Sequence, residues 1–394
     1  MTTRSRARSA ILVLLCSLFG VAVVALMPRL LPPTMDFSQL YLATKRALTN
    51  EPLYGASPEM PTSQIPTEQL RGDPPCPIPP WYVATFLPLG ALDPERAATL
   101  WGLLNILFLV GIINLSLPEL SPRLKTLLIS LALLSATTQG HIIVGQFTLL
   151  PSLGVALALW GIKNGLTTAI AGGLALSTYK PHFGIPIIAC FLLSAIFQRD
   201  GHLRSLISRL VFFAILLAAA SLWVDPTSLI SYPHHLRALN DGPVNRLCDS
   251  CSSMTIQLVR AIDSAPGNVW LLRFGAAALM MSILVIPYLL KRSDPRLLLS
   301  LVVCATLLAT PYARNYDYVL LLAPLLVTWR SSLDFPKLSK MRISRALVAV
   351  AVTIVGILPY FLNRHEQSGV LWVAALASYV AVASEIRIAR EPRH

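Results

Sequence analysis

A single aspartate stands immediately before an amphipathic run, Met35-Asp36-Phe37-Ser38-Gln39-Leu40-Tyr41-Leu42-Ala43-Thr44-Lys45-Arg46-Ala47-Leu48. Phe37, Leu40, Tyr41, Thr44 and Leu48 share one helical face, whereas Ser38, Gln39, Lys45 and Asn50 fall mostly elsewhere, the pattern of a helix lying on a membrane surface. A carboxylate at its head can simply cap the backbone N–H groups of the first turn. Lys180 is a second unusual position, because it interrupts a strongly apolar stretch. A charge near mid-membrane costs about 2.5–3.5 kcal/mol on insertion scales, so it either faces a cavity or partner or snorkels to a nearby interface. His182 supports it or is an ordinary loop residue.

Other polar groups interrupt the apolar sequence. Tyr312, Arg314, Asn315, Tyr316 and Asp317 form a polar connection between two short apolar blocks, and His141 and Gln146 lie in another break. Cys248-Asp249-Ser250-Cys251 is a lone C-x-x-C, read as a disulfide candidate in an extracytoplasmic loop rather than a zinc site, since no matching ligand set accompanies it. Cys16, Cys190 and Cys304 fall in apolar blocks and read as small buried hydrophobes. The adjacent pair His234-His235 points its rings apart on any regular element and is read as surface. No G-x-x-x-x-G-K-[ST], G-x-G-x-x-G or H-E-x-x-H pattern occurs, so ATP-driven transport, a dinucleotide cofactor and zinc-protease chemistry have no support.

The elements that must position these groups are membrane helices. The chain is 55% hydrophobic and 13% charged, and its apolar residues come in long blocks instead of stripes. Lipid offers no partners to unpaired backbone groups, and the blocks lack the alternation of barrel strands, which leaves an all-α polytopic protein. Thirteen apolar blocks predict about 10–13 membrane segments, the first being Ile11 to Met27. An odd count conflicts with two cytoplasmic ends, so one short block is re-entrant or merges with a neighbour; 166–178 with 182–197 is the expected place. A single domain, 1–394, is expected, with outer loops 28–80 and 225–267.

Lys and Arg number 32 against 19 Asp and Glu, a net charge of +13. The surplus lies in short connections and near both ends: Arg4, Arg6 and Arg8; Arg199, Arg204 and Arg209; Lys291, Arg292 and Arg296; Lys337, Lys340, Arg342 and Arg345; Arg387, Arg390 and Arg393. Such clusters stay cytoplasmic. Topology therefore accounts for the basicity, and no nucleic-acid partner is expected.

Asp36-Phe37, Tyr41, Lys45-Arg46-Ala47-Leu48 and Glu51-Pro52-Leu53-Tyr54-Gly55 together resemble the start of glycosyltransferase family 87. The resemblance continues through Pro79-Pro80-Trp81, Leu87-Pro88-Leu89, Trp101 to Asn105, Gly145-Gln146-Phe147-Thr148-Leu149-Leu150, Gly172-Gly173-Leu174-Ala175 to Lys180-Pro181, and Thr310-Pro311-Tyr312 with Tyr316-Asp317. It implies a GT-C-like fold and transfer of a hexose, mannose in the family, from a polyprenyl-phosphate donor to an acceptor hydroxyl at the outer face of the plasma membrane. Asp36 is then the catalytic general base. The leaving phosphate calls for cations, and Lys180, Arg46 and Arg314 are the candidates, with Lys45 beside them. Tyr41, Tyr54, Gln146, His182, Tyr312, Asn315 and Tyr316 are candidate substrate-binding residues. The paired-His pattern of some members is absent here.

Neither metal nor cofactor is expected, because side-chain cations can stabilise a monophosphate leaving group. The expected partners are membrane lipids, the polyprenyl-phosphate sugar and a lipid, glycan or protein acceptor. An alternative is a transporter or flippase of lipid-linked intermediates, in which Lys180 and outer basic residues bind the phosphate during translocation.

Overall fold

The computed structural model describes residues 36–54, 78–198, 201–241, 251, 253–257, 294–310, 312–333, 339–362 and 364–388. The expected first span at 11–27 and the apolar block at 268–290 lie outside the described residues. The described chain is helical, with no strand among the described residues beyond one isolated bridge between Cys251 and Arg314. This is the all-α membrane architecture expected from the sequence.

The helices are α1 (Asp36–Leu48), α2 (Pro80–Thr85), α3 (Pro94–Ser116), α4 (Pro122–Leu134), α5 (Ala136–Val144), α6 (Leu149–Lys163), α7 (Thr167–Ser177), α8 (Pro181–Gln198), α9 (Leu203–Val224), α10 (Ser228–Asp241), α11 (Pro295–Ala309), α12 (Leu322–Leu333), α13 (Ser339–Gly356) and α14 (Arg364–Ile388). Short 3-10 turns at Leu87–Ala91, Asn315–Leu321 and Leu358–Tyr360 join them.

Among the described residues α3 and α9 are long and apolar enough to cross a membrane alone. At about 1.5 Å per residue, the 22 residues of α9 match a hydrocarbon core of ~30 Å. Helices α4 and α5 pass the same test only as a pair, bent by 66° at their junction. The bend falls at Ser135, whose hydroxyl donates to the Ala132 carbonyl (2.8 Å) and accepts from the Thr138 amide (3.4 Å), so a side chain replaces the missing ladder bonds. The segments expected to hold a re-entrant or merged block, 166–178 with 182–197, form helices α7 and α8 joined through Thr178–Lys180. Several further apolar helices are shorter than a straight crossing, α6, α7 and α11 among them. The expected outer loop 225–267 contains helix α10, which its mixed composition and internal Pro233 conceal in the sequence.

The chain divides into two compact units. The first, 1–107 with 141–147 and 211–246, has an aromatic core. Trp101 is 1% exposed; its ring lies 5.1 Å from Phe86, 6.0 Å from Phe147 and 6.2 Å from Phe37, centroid to centroid. Tyr82 adds edge contacts to Phe147 and Trp101. Offset and edge contacts of this kind add about 0.5–1.5 kcal/mol per pair beyond area burial. Asp225 closes the unit's other end: its carboxylate accepts from the Leu53 amide (3.1 Å) and from the amide and hydroxyl of Thr227 (both 2.8 Å).

The second unit, 108–140 with 148–210 and 247–394, is a helix bundle around α11. Every residue from Leu297 to Ala309 is buried, as suits a helix apolar on all sides. It packs against α6, α8, α12 and α14. The closest pairing is α6 on α7, where small residues let the backbones meet: a β-carbon on Gly154 would stand 2.5 Å from the Gly173 carbonyl oxygen, and one on Gly173 2.5 Å from the Ala158 amide nitrogen. In the first unit, the part of α9 from 211 onward is largely uncovered, with Phe212 57%, Ile215 61% and Trp223 74% exposed, an apolar surface that belongs in lipid. Replacing Gly173 with Val is expected to cost about 1–3 kcal/mol by overpacking, read as a fall in melting temperature of the detergent-purified protein, while Val at Gly140, where nothing lies within 4 Å, should have a far smaller effect.

Candidate functional site

Among the described residues two polar clusters stand out, one in each unit. In the first unit α1 begins at Asp36 and buries Phe37, Leu40, Tyr41 and Thr44 on the face its periodicity predicts, whereas Leu48 is 44% exposed. Phe37 anchors the head of the helix against Trp101. The Asp36 carboxylate, half-buried, accepts a hydrogen bond from the side-chain amide of Gln146, which is buried.

Local backbone chemistry explains why Gln146 stands there. Helix α5 ends in Gly145 at φ 72°, the left-handed conformation that glycine adopts without strain. The Gly145 amide then donates to the Ile142 carbonyl (3.1 Å) and the Gln146 amide to the His141 carbonyl (3.0 Å), closing the helix end. The Trp101 indole N–H donates to the Gly145 carbonyl at 3.1 Å, so the aromatic core grips the same turn. A β-carbon at Gly145 would stand 2.5 Å from that of Phe37. His141 is fully buried, with Nε2 3.1 Å from the Asn105 side-chain oxygen; Asn105 in turn donates to the Trp101 carbonyl (3.0 Å).

The aromatic candidates of this unit have framework contacts. The Tyr41 hydroxyl donates to the Leu92 carbonyl (3.0 Å) and the Tyr54 hydroxyl to the Ile78 carbonyl (2.6 Å). Tyr54 also lies 5.3 Å from Tyr232 and 5.2 Å from His235, ring to ring. Arg46 is in the last turn of α1, where a cation suits the helix C-terminus, and Lys45 is 5.8 Å over the Tyr41 ring.

In the second unit Lys180, at the break between α7 and α8, forms an ion pair with Asp317 of the 3-10 turn. The Lys180 side chain is 13% exposed and that of Asp317 1%. Thr148 completes the group: its hydroxyl donates to Asp317 Oδ1 at 2.6 Å and accepts from Lys180 Nζ at 2.9 Å. The other carboxylate oxygen of Asp317 accepts from the Arg314 amide at 3.0 Å. Rings of Tyr316 and Phe183 lie 5.3 and 5.7 Å from the ammonium. Of the two sequence alternatives for Lys180, a buried partner is therefore what the structure has.

Around this pair, Arg314 donates through its guanidinium to the Tyr316 hydroxyl (3.1 Å), and Asn315 accepts from the Tyr316 amide (2.8 Å). The backbone of Arg314 bridges to Cys251. Cys251 is disulfide-bonded, and Cys248 lies outside the described residues. Tyr312 is 37% exposed. His182 is stacked on Phe183 at 4.3 Å, and its Nε2 is buried without a hydrogen-bond partner. Cys190 and Cys304 are buried free thiols, as their apolar surroundings predict.

Among the described residues no group of three or more His, Cys, Asp or Glu is disposed to hold a metal ion. Thr148 and Asp317 carry the geometry of the second cluster; the sequence marks Asp317 only as part of a polar connection and gives it no role, and Thr148 appears only inside a motif, because a threonine has no compositional signature. Removing one member of the buried pair should destabilise strongly: Lys180→Met or Asp317→Asn alone by about 3–5 kcal/mol, and the double variant by less than the sum, checked by a double-mutant cycle of unfolding in detergent.

Comparison with known proteins bears on the chain as a whole. A family model described as glycosyltransferase family 87 matches residues 79–311, more than half of the chain, beginning after Asp36 and ending before Asp317. No curated protein and no solved structure matches significantly. With a match of that extent, on a chain of apolar helices, the protein is a membrane glycosyltransferase and belongs to glycosyltransferase family 87.

Proposed function

We propose that the whole chain, 1–394, acts as one transferase domain that moves a hexose, mannose by family analogy, from a polyprenyl-phosphate donor to an acceptor hydroxyl at the outer face of the plasma membrane. The observation that carries this reading is the Asp36 carboxylate held at the head of α1 by the Gln146 amide. A donor in the form of a lipid phosphate keeps its reacting bond at the membrane boundary, and Asp36 lies shortly after the first apolar block of the chain. Asp36 takes the proton of the acceptor hydroxyl as its oxygen bonds to the anomeric carbon; the bond from that carbon to the phosphate oxygen breaks, and the phosphate leaves with the electron pair.

Gln146 is suited to orient the base. Its amide is uncharged, so it fixes the carboxylate without itself neutralising it, and the Gly145 turn, locked by Trp101, fixes Gln146. Lys180, Arg46 and Arg314 are the proposed phosphate ligands. The reaction requires no cofactor in this proposal. The distribution of basic residues supports cytoplasmic ends and outer placement of the segment after the first span.

The test is transfer of labelled sugar from polyprenyl-phosphate mannose to extracted lipid and glycan acceptors by purified wild type, Asp36→Asn and Gln146→Leu. General-base action contributes typically about 10²–10⁴-fold, so Asp36→Asn should lose that much of kcat with donor binding kept, and Gln146→Leu about tenfold. No transfer by wild type from any polyprenyl-phosphate sugar, together with movement of lipid-linked sugar between vesicle leaflets, would replace the transferase reading with that of a flippase.

A further inference from the structure

We infer that Thr148 is the positioning residue that aims the Lys180 ammonium at the phosphate of a polyprenyl monophosphate, with Asp317 as its fixed anchor. The inference rests on the proposed role of Lys180 as a phosphate ligand and adds to it the groups that act through Lys180.

The direction of the hydrogen bonds makes Thr148 a relay between the two charges. A hydroxyl has one proton and two lone pairs. Its proton goes to Asp317 Oδ1 at 2.6 Å, which turns its lone pairs toward Lys180 Nζ at 2.9 Å. The ammonium therefore meets two oxygens with a fixed separation and settles in one rotamer of a long, flexible stem. Two rings, Tyr316 at 5.3 Å and Phe183 at 5.7 Å, wall the same ammonium.

Asp317 is the immobile end of this group. Thr148 and Lys180 occupy Oδ1, the Arg314 backbone N–H occupies Oδ2, and the side chain is 1% exposed. Lys180 keeps 13% of its side chain open, so an incoming anion meets the cation and not the carboxylate. A phosphate then shares the ammonium with a carboxylate that stays in place. Thr148 alone among the three can be altered without changing the charge of the cluster, which separates aiming from attraction.

The experiment measures binding of polyprenyl monophosphate and of the uncharged polyprenol to the full chain in lipid nanodiscs, for wild type, Thr148→Val, Thr148→Ser and Lys180→Met. Wild type should prefer the phosphate, Lys180→Met should abolish the preference, Thr148→Val should cut it about tenfold, and Thr148→Ser should retain it. Hydrogen bonds to charged groups are of the size that such a change needs. Melting temperatures identify a variant that has unfolded, and Thr148→Ser preserves the test in that case. A wild-type preference kept by Thr148→Val, lost equally by Thr148→Ser, or missing from wild type overturns the inference. Sugar transfer from polyprenyl-phosphate mannose, run on the same preparations, keeps the two ideas apart. Transfer by wild type with an unchanged preference in Thr148→Val sinks only the inference. A preference lost in Thr148→Val beside a wild type that transfers nothing sinks only the donor reading.

Discussion

A packed helix bundle gives polar groups no water to fall back on, and the buried Lys180–Asp317 pair is where this constraint acts most strongly on the second unit. A buried lysine or aspartate alone would be untenable there. Each therefore dictates the position of the other, and Thr148 and the Arg314 amide donate further hydrogen bonds to the carboxylate. The 3-10 turn, the break between α7 and α8, and the start of α6 thus converge on one point because a charge pair must be fully partnered. Helix α11, buried from Leu297 to Ala309, carries among its apolar side chains only the small hydroxyls of Ser300 and Thr306 and no charge over that stretch.

The first unit solves a different problem with aromatic packing. Asp36 and Gln146 are 110 residues apart, and their meeting depends on two surfaces fixed independently. Phe37 against Trp101 fixes the head of α1, while the Trp101 indole on the Gly145 carbonyl fixes the turn that bears Gln146. One tryptophan therefore registers both partners, and the left-handed glycine lets the turn approach Phe37 closely enough for the carboxylate and amide to meet.

Periodic and compositional features were legible in the sequence: the helical nature of the chain, the buried face of α1 at Phe37, Leu40, Tyr41 and Thr44, and the oddity of Lys180 among apolar neighbours. Long-range pairing was not. Lys180 and Asp317 are 137 residues apart and Lys180 and Thr148 are 32 apart, and neither periodicity nor hydropathy reports on such distances. Helix breaks at polar residues were also hard to read. The bend between α4 and α5 turns on Ser135, a residue with nothing unusual about it beyond the two backbone groups it satisfies. Helix α10 escaped notice because it is too polar for a span, and its Pro233 resembles a loop signal.

The uncovered helix α9 ends in Trp223, an indole 74% exposed, and two residues later Asp225 holds the Leu53 amide. Indoles settle at the level of lipid headgroups, so this short stretch couples the depth of the bilayer to the segment just after α1. Bilayer thickness then becomes a mechanical input: a thinner membrane tilts a 22-residue helix, and tilt moves its indole and the carboxylate beside it together. The lipid is in that sense a structural subunit of the first unit, one whose dimensions change with the composition of the membrane around it.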